Sequence, residues 1–501
     1  MGVMRFQAFP KGRIVPDDVD RAYLAAADLT PWKCRVQCHA DVLSIERGVA
    51  DSGCLHIPWR VEGRGKVMLT SATLIERERP YHLPVELARG TIQLLRSLMA
   101  DWQAAGLDIA ESLSTRLREA VADFSQAVTT QHDPLISTRH ADAAIASALD
   151  ASDSLAAAYA ERALAAREAA GNRHLALAGR WSGPLGSAKE ASLILAAFNA
   201  CVVPFTWRDV EATEGSLHWA EFDEQVQWCH NNGLAMIGGP LVRLDDASLP
   251  DWLYLWKGDF ENLLSFVGHY VSLVVSRYRG KVCLWQCAAR INSGEAMALT
   301  EEERLRLAVH VVETTHRLDP RTPAVLVFDE PWAPYMSRRD LALSPYDFAD
   351  AIVRGGLGLA GLGLEFNLGY HPGGTYPRPV LQLSRMIDLW SILNLPLYVS
   401  LTFPSGEGPD ALARGKARPL SGVVEGGWTE EAQRILLEQW VPLLAAKPAV
   451  QGILWNELRD SRPHEFPHSG LLNAADQPKA ALKSLVRLRR ERLPNAASRP
   501  G

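Results

Sequence analysis

The stretch Gly361-Leu-Gly-Leu-Glu-Phe-Asn367 is followed by a Gly/Pro-rich loop, by the amphipathic segment Val380–Leu393, and by Leu395-Pro-Leu-Tyr-Val-Ser-Leu-Thr402. A short apolar run bounded by turn residues reads as a buried strand, and apolar residues at three- and four-residue spacing read as a helix. Strand, helix, strand is therefore the local unit, and it recurs in both directions. Upstream lie the runs His174–Gly179, Ala200–Phe205, Leu234–Gly239, Val282–Cys287 and Ala324–Phe328, and downstream lies Gln451–Trp455. Helical patterns fill the intervals at Trp219–Asn231, Phe260–Arg279, Glu301–Arg317, Pro345–Gly355 and Thr429–Ala446. Eight buried strands alternating with helices over about 310 residues predict an α/β fold, a closed (β/α)8 TIM barrel rather than an open doubly wound sheet. No GxGxxG or Walker-type loop follows any of these runs, which argues against a nucleotide fold and leaves no cofactor expected.

The barrel is expected over residues 173–490, with a short tail at 491–501. Residues 1–82 read as a small β-rich module, with strand-like runs Cys34–Val42, Cys54–Val61 and Lys66–Thr73 punctuated by Gly53, Gly63 and Gly65. Residues 83–172 are rich in Ala, Leu, Glu and Arg and predict two or three long amphipathic helices, broken near Gly106 and at His132-Asp-Pro134. These helices would brace the module against the barrel or form an oligomer interface, and the sequence sets no oligomeric state. Trp32, Trp59 and Tyr81 of the module favour packing over a sugar platform.

Over 501 residues, 58 Asp plus Glu stand against 52 Lys plus Arg, a net charge of −6, so no basic field exists to gather nucleic acid or anionic lipid. Pro10 and Gly12 interrupt the start before an apolar signal region can form, and Asn199 interrupts the longest apolar run, Ala191–Phe205. Neither a secretory signal nor a membrane segment is read. Seven cysteines form an odd, sparse set that fits a reducing compartment, so the expected location is cytoplasmic. Cys34-x3-Cys38 with His39 lacks a second ligand pair, and the loop holding His464 and His468 lacks a convergent set, so no metal site is expected.

In a barrel of this kind function sits beyond the C-terminal ends of the strands. Those positions carry Arg180 and Trp181; Trp207, Arg208, Asp209 and Glu211; Arg243 and Asp245; Trp285, Gln286 and Arg290; Asp329 and Glu330; Glu365 and Asn367; Thr402; and Trp455, Asn456, Glu457, Arg459 and Asp460. Indole faces with Asn, Asp, Glu and Arg make a sugar-binding composition, although any single tryptophan reads equally well as core. Tyr370, His371 and Tyr376 in the Gly/Pro-rich loop are further candidate sugar contacts. The expected partner is an oligosaccharide or polysaccharide.

Phe198-Asn-Ala-Cys-Val-Val-Pro-Phe-Thr-Trp-Arg-Asp-Val-Glu-Ala-Thr-Glu-Gly215, with His218-Trp-Ala-Glu-Phe222 and His230-Asn-Asn-Gly233, resembles the strand-two region of glycoside hydrolase family 10, the xylanase-type barrels. The Leu-Pro-Asp-Trp-Leu ending at Leu253, Gly361–Asn367, Leu395–Thr402, Gly452-Ile-Leu-Trp-Asn-Glu-Leu-Arg-Asp460, Gly470-Leu-Leu and Gln477-Pro-Lys-Ala480 follow that family's later segments in order. The resemblance spans about residues 174–490 and implies β-glycoside hydrolysis by two carboxyl groups about 5–5.5 Å apart. It also puts Arg290 at the family's acid/base position and Leu401 at its nucleophile. The family's substrate-holding Asn, Lys and His fall at Val203, Thr206 and Gly239.

Arginine cannot shuttle a proton at neutral pH, and leucine is no nucleophile. One reading is a rebuilt hydrolase using Glu365, Glu330 and Glu457, with Trp181, Trp207, Arg243, Trp285, Arg290, Asn367, Tyr370, Trp455 and Asn456 on the substrate. In it Glu365, buried among tryptophans, would be a general acid of raised pKa. The other reading is a buried ion-pair network in place of the lost carboxylates and a barrel that binds sugar, or nothing, without chemistry; a different reaction on the same fold also stays open.

Overall fold

The computed structural model describes residues 2–171, 175–181, 183 and 188–493. The N-terminal part holds β1 (Gly2–Gln7), α1 (Pro16–Arg21), β2 (Tyr23–Ala25), β3 (Cys34–His39), β4 (Val42–Arg47), β5 (Cys54–Val61), β6 (Gly65–Thr70) and β7 (Tyr81–His82). They form two small sheets, ordered β3-β4-β1-β7 and β2-β5-β6. The expected single run at residues 34–42 is a hairpin, because Ala40 and Asp41 both take positive φ (50° and 63°) and turn the chain between His39 and Val42. In β1, Met4 and Phe6 point into the core while Arg5 is exposed, a two-residue period too short to read from sequence.

Three helices follow, α2 (Leu83–Ala104), α3 (Glu111–Thr129) and α4 (Pro134–Ala169). The first stops just before Gly106, whose φ of 91° no L-residue adopts easily. The third starts at Pro134, with the Asp133 carboxylate accepting from the amides of Leu135 and Ile136.

The remaining strands are β8 (Ala176–Arg180), β9 (Ala200–Val203), β10 (Ala235–Gly238), β11 (Val242–Arg243), β12 (Leu284–Ala289), β13 (Ala324–Asp329), β14 (Gly361–Asn367), β15 (Tyr370–His371), β16 (Leu397–Thr402), β17 (Arg418–Pro419) and β18 (Val450–Trp455). Eight of them close a parallel barrel in the order β8-β9-β10-β12-β13-β14-β16-β18, with β18 paired back to β8. The short β11 extends the edge of β12, and β15 and β17 form a separate ribbon. Around the barrel run α5 (Ala188–Ala197), α6 (Trp207–Val210), α7 (Ala220–Asn231), α8 (Phe260–Tyr278), α9 (Glu301–Leu318), α10 (Pro345–Arg354), α11 (Val380–Ser391), α12 (Glu430–Ala446) and α13 (Ala480–Glu491). All eight expected strands are present. The N-terminal end of the first, His174, lies outside the described residues, as does most of the 491–501 tail.

Strand register decides which residues enter the barrel. Paired residues on parallel neighbours point to the same side, and alternate residues point to opposite sides. Asp329 pairs with Glu365, Glu365 with Ser400 and Asn367 with Thr402, on the inner face. Phe366 pairs with Leu401 and Leu401 with Trp455, on the outer face, where Phe366 meets Trp440 of α12 edge-on with centroids 5.8 Å apart.

The N-terminal part sits directly on the barrel's loops. Backbone amides of β6 donate outward, Met68 to Pro377 O (2.8 Å) and Lys66 to Val423 O (2.7 Å). Tyr376 donates to Asp17 (2.8 Å), and Arg378 donates to the Tyr23 hydroxyl (2.9 Å). Helix α4 packs along α12, and Arg167 reaches Ala445 O at 2.5 Å. One hydrophobic cluster runs from Met4 through the helices to Leu493. No helix among the described residues is long and apolar enough to cross a membrane.

Candidate active site

The inner ends of β12, β13 and β14, the strand-three loop and the loop after β18 converge on a dense set of charges. Arg290 follows β12 with φ 56°, which turns its side chain into the mouth. Its guanidinium contacts Glu365 Oε1 (3.2 Å), Glu465 Oε1 (2.6 Å), Asp245 Oδ2 (3.3 Å) and Asp329 Oδ2 (3.9 Å). Arg243 joins the same carboxylates, with Asp245 at 2.8 Å, Glu465 at 2.5 Å and Glu365 at 3.5 Å. Ser293 donates to Asp329, and Asn367 Nδ2 donates to Glu365 Oε1 at 2.9 Å. The side chains of Glu365, Arg243, Arg290, Asp245 and Glu465 are only 2, 10, 11, 16 and 18 % exposed, so the mouth is filled by its own ion pairs.

The electrostatics follow from this geometry. Burial alone would raise the Glu365 pKa, but Arg243, Arg290 and Arg180, with the Asn367 hydrogen bond, outweigh it and hold the carboxyl at about 2. The expected general acid is thus an ionised carboxylate throughout the physiological range; the tryptophans cited for its raised pKa do not surround it. Glu457, at the end of β18, is pushed up to about 7 by burial while accepting the Glu465 amide at 3.0 Å. Burial and the neighbouring Asp329 raise Glu330 to about 8, on a residue with φ 44°.

Four tryptophans expected on substrate lie between strands and helices. Trp181 packs on Trp228 of α7 (4.8 Å), and Trp207 stacks on Tyr270 of α8 (4.6 Å) while donating to Glu211. Trp285 donates to Asp319 at the end of α9, and Trp455 donates to Ser469 O against the edge of Phe403. All four are at most 3 % exposed: Trp285 and Trp455 are strand residues on the face turned to the helices, while Trp181 follows β8 and Trp207 opens α6. Tyr370 is fully buried, its hydroxyl on Pro467 O and its ring on Phe466. The Tyr376 hydroxyl donates to Asp17 of the N-terminal part. Asn456 does face inward, donating to Thr402 Oγ1 at 2.9 Å. In the same register Leu401 faces the helices and Thr402 is the inward residue of β16.

Glu465 belongs to the polar loop at the active face that also holds His464 and His468, and its pairing with Arg243 and Arg290 is what sequence reasoning does not supply. It lies eight positions past Glu457 in an irregular loop, and no spacing rule links it to Arg243 or Arg290. The loop is pinned by His464 to Asp410 (2.9 Å), by His468 to Gly408 O (2.7 Å) and by buried Phe466. Among the described residues no group of three or more His, Cys, Asp and Glu side chains converges to hold a metal ion.

Comparison with known proteins gives a partial match. The model of "Glycosyl hydrolase family 10" matches residues 165–301, from the first barrel strand through the fourth. Endo-1,4-beta-xylanase 3 of Hypocrea jecorina is 30 % identical over 85 residues, which is 17 % of this chain and 24 % of that protein. The chain thus aligns with about a quarter of the length of the curated relatives it matches. Among solved structures, xylanase 10B from Thermotoga petrophila RKU-1 in complex with xylobiose covers 65 % of this chain and 98 % of its own at 15 % identity, with a TM-score of 0.49. Native xylanase 10B from Thermotoga maritima covers the same shares at 16 % identity and a TM-score of 0.48. Residues 165–301, which carry the first four strands of the closed barrel, are thus similar to glycosyl hydrolase family 10.

Proposed function

We propose that the barrel mouth recognises β-linked oligosaccharides without hydrolysing them. One observation carries this reading: Arg243 and Arg290 hold Glu365 and Glu465 together in a buried network. Two-carboxyl glycoside hydrolysis needs one protonated carboxyl group and one free carboxylate on either side of the scissile bond. A carboxylate held near pKa 2 between guanidinium groups is a weak base and no acid. What supports sugar recognition is the family match, together with the half-exposed Trp252, Tyr254 and Trp256 that follow β11, beside the Arg208–Asp251 and Lys416–Asp246 pairs. Because the curated relatives are endo-1,4-beta-xylanases, xylo-oligosaccharides are the first ligands to try.

A second reading rests on Glu457, whose pKa of about 7 lets it carry a proton near neutrality and act as the acid of a rebuilt hydrolase. Calorimetry on xylo-, gluco-, manno- and galacto-oligosaccharides, with chromatography of the same mixtures, separates the two. Binding without products is the expected result. Products that vanish in Glu457→Gln while binding persists would favour the hydrolase, and neither binding nor products would overturn both.

A further inference from the structure

Two sulfur atoms meet behind the second barrel strand. Alternate residues of β9 point to opposite sides, so Ala200 and Val202 enter the barrel interior while Cys201 faces outward. Helix α7 covers that outer side, and its buried residues Phe222, Gln225, Val226 and Cys229 recur at three- and four-residue spacing along one stripe. The last of them brings its thiol to Cys201. The two Sγ atoms are 2.7 Å apart, and the residues are 0 and 1 % exposed. A disulfide bond is about 2.0 Å long, and packed carbon atoms, smaller than sulfur, sit about 3.5–4.0 Å apart. The pair is therefore nearer to bonding distance than to ordinary packing.

All seven cysteines are free thiols, and the geometry sets this pair apart from the rest. Cys283 is a third thiol close enough to act on Cys201 electrostatically. Its amide donates to Met236 O (2.8 Å), and Met236 pairs with Cys201, so it lies two strands along the sheet. That is about 9–10 Å at the usual strand spacing, beyond the roughly 7 Å that the Cα atoms of a disulfide can span. Cys34 and Cys38 are further apart still, four positions along β3 or about 13 Å. The Cys229 contact and burial hold the Cys201 thiol well above its usual range, so the pair is inert while strand and helix stay packed.

We propose that Cys201 and Cys229 form a disulfide that staples α7 to β9, with hydrogen peroxide as the oxidant. One thiolate attacks a peroxide oxygen, the O–O bond breaks, and a sulfenic acid and hydroxide are left; the hydroxide takes up the proton that the thiol released. The second sulfur then displaces the sulfenic oxygen, which leaves with that thiol's proton as water. Two thiols and one peroxide thus become one disulfide and two waters, the sulfurs losing the two electrons that the peroxide gains. The bond joins positions 28 residues apart, and the segment it closes carries Trp207, Arg208, Asp209 and Glu211 beyond the second strand. Closing that loop restricts the unfolded chain and so stabilises the folded one. This inference does not depend on what the barrel mouth does.

The test treats the full-length protein with hydrogen peroxide in urea just below the unfolding transition, where local opening admits the reagent, and keeps a second sample in dithiothreitol. Both are alkylated in denaturant and digested. Peptide mass spectrometry should find Cys201 and Cys229 cross-linked after peroxide, the linked pair lighter by two hydrogens, and both alkylated in the reduced sample. With the urea removed, the cross-linked protein should melt about 3 °C higher, a gain that dithiothreitol in the same urea reverses. Cys229→Ser, close in shape to the cysteine, should lose the cross-link and the gain, and Cys283→Ser should keep both. The proposal is overturned if both thiols are alkylated after peroxide, if either is found bonded to Cys283 or as a sulfinic acid, or if the cross-linked protein melts no higher than the reduced one.

Discussion

A carboxylate in a barrel mouth is only as useful as its protonation state, and here two buried glutamates are driven in opposite directions. Glu365, lowered to about 2, contributes stability that is present above the unfolded carboxyl value and is lost as pH falls below about 4.5 toward 2. Glu457, raised to about 7, does the reverse: its contribution is full at low pH and is lost as pH rises from about 4.5 through 7. Each shift is worth about 3 kcal/mol. Urea unfolding across pH should therefore show greatest stability in mildly acidic solution, and Glu457→Gln should lessen the decline toward neutrality, leaving the part that Glu330, raised to about 8, contributes. Glu365→Gln at pH 7 should lose about 3 kcal/mol, because it strips a counter-charge from two buried arginines. A neutral or stabilising effect in the same urea series would mean that the network is not closed as described. The position of Glu365 was legible from its place on a strand, but its ionisation was not. That depends on Arg243, three strands along the sheet, and on the Glu465 loop that closes over it.

At the level of elements, the strands and helices of the barrel could be read because each apolar run or stripe is a local pattern. Orientation within a strand could not, since a shift of one residue exchanges every inward side chain for an outward one. Leu401 and Thr402 show the consequence. Putting a carboxylate at Leu401, where the family resemblance assigns the nucleophile, drives a charge into the layer beside Phe366 and Trp455. Leu401→Glu should cost more than about 4 kcal/mol and leave little folded protein. Thr402→Glu points into the mouth beside Asn456, among groups that can solvate a charge, and should cost clearly less. Thermal melts of the two variants decide it, and equal destabilisation would contradict the register. The four buried tryptophans carry the same lesson, as size and aromaticity mark them for either a core or a sugar platform and only the strand face separates the two.

For the molecule as a whole, the question is whether the division into β-rich module, helical segment and barrel is also a division of stability. The core argues that it is not. Apolar residues of α11 and α12, among them Val380, Leu383, Ile387, Val441 and Leu444, belong to the same buried cluster as α4 and the N-terminal strands. Removing the first 172 residues would also take the β6 amides from Pro377 O and Val423 O, the Tyr23 hydroxyl from Arg378 and the Arg167 guanidinium from Ala445 O. Buried carbonyls without donors and a bare apolar helix face together exceed the margin of about 5–15 kcal/mol by which a domain is stable. Calorimetry of the full chain should give one cooperative transition, with fluorescence and circular dichroism melting together. A fragment from residue 173 to residue 493 should aggregate or remain unfolded, and the helices should stay protected from proteolysis as long as the barrel does. Two separated transitions, or a monomeric fragment with a sharp melt of its own, would show that the barrel is autonomous, and that the N-terminal part is attached to it without being required for folding.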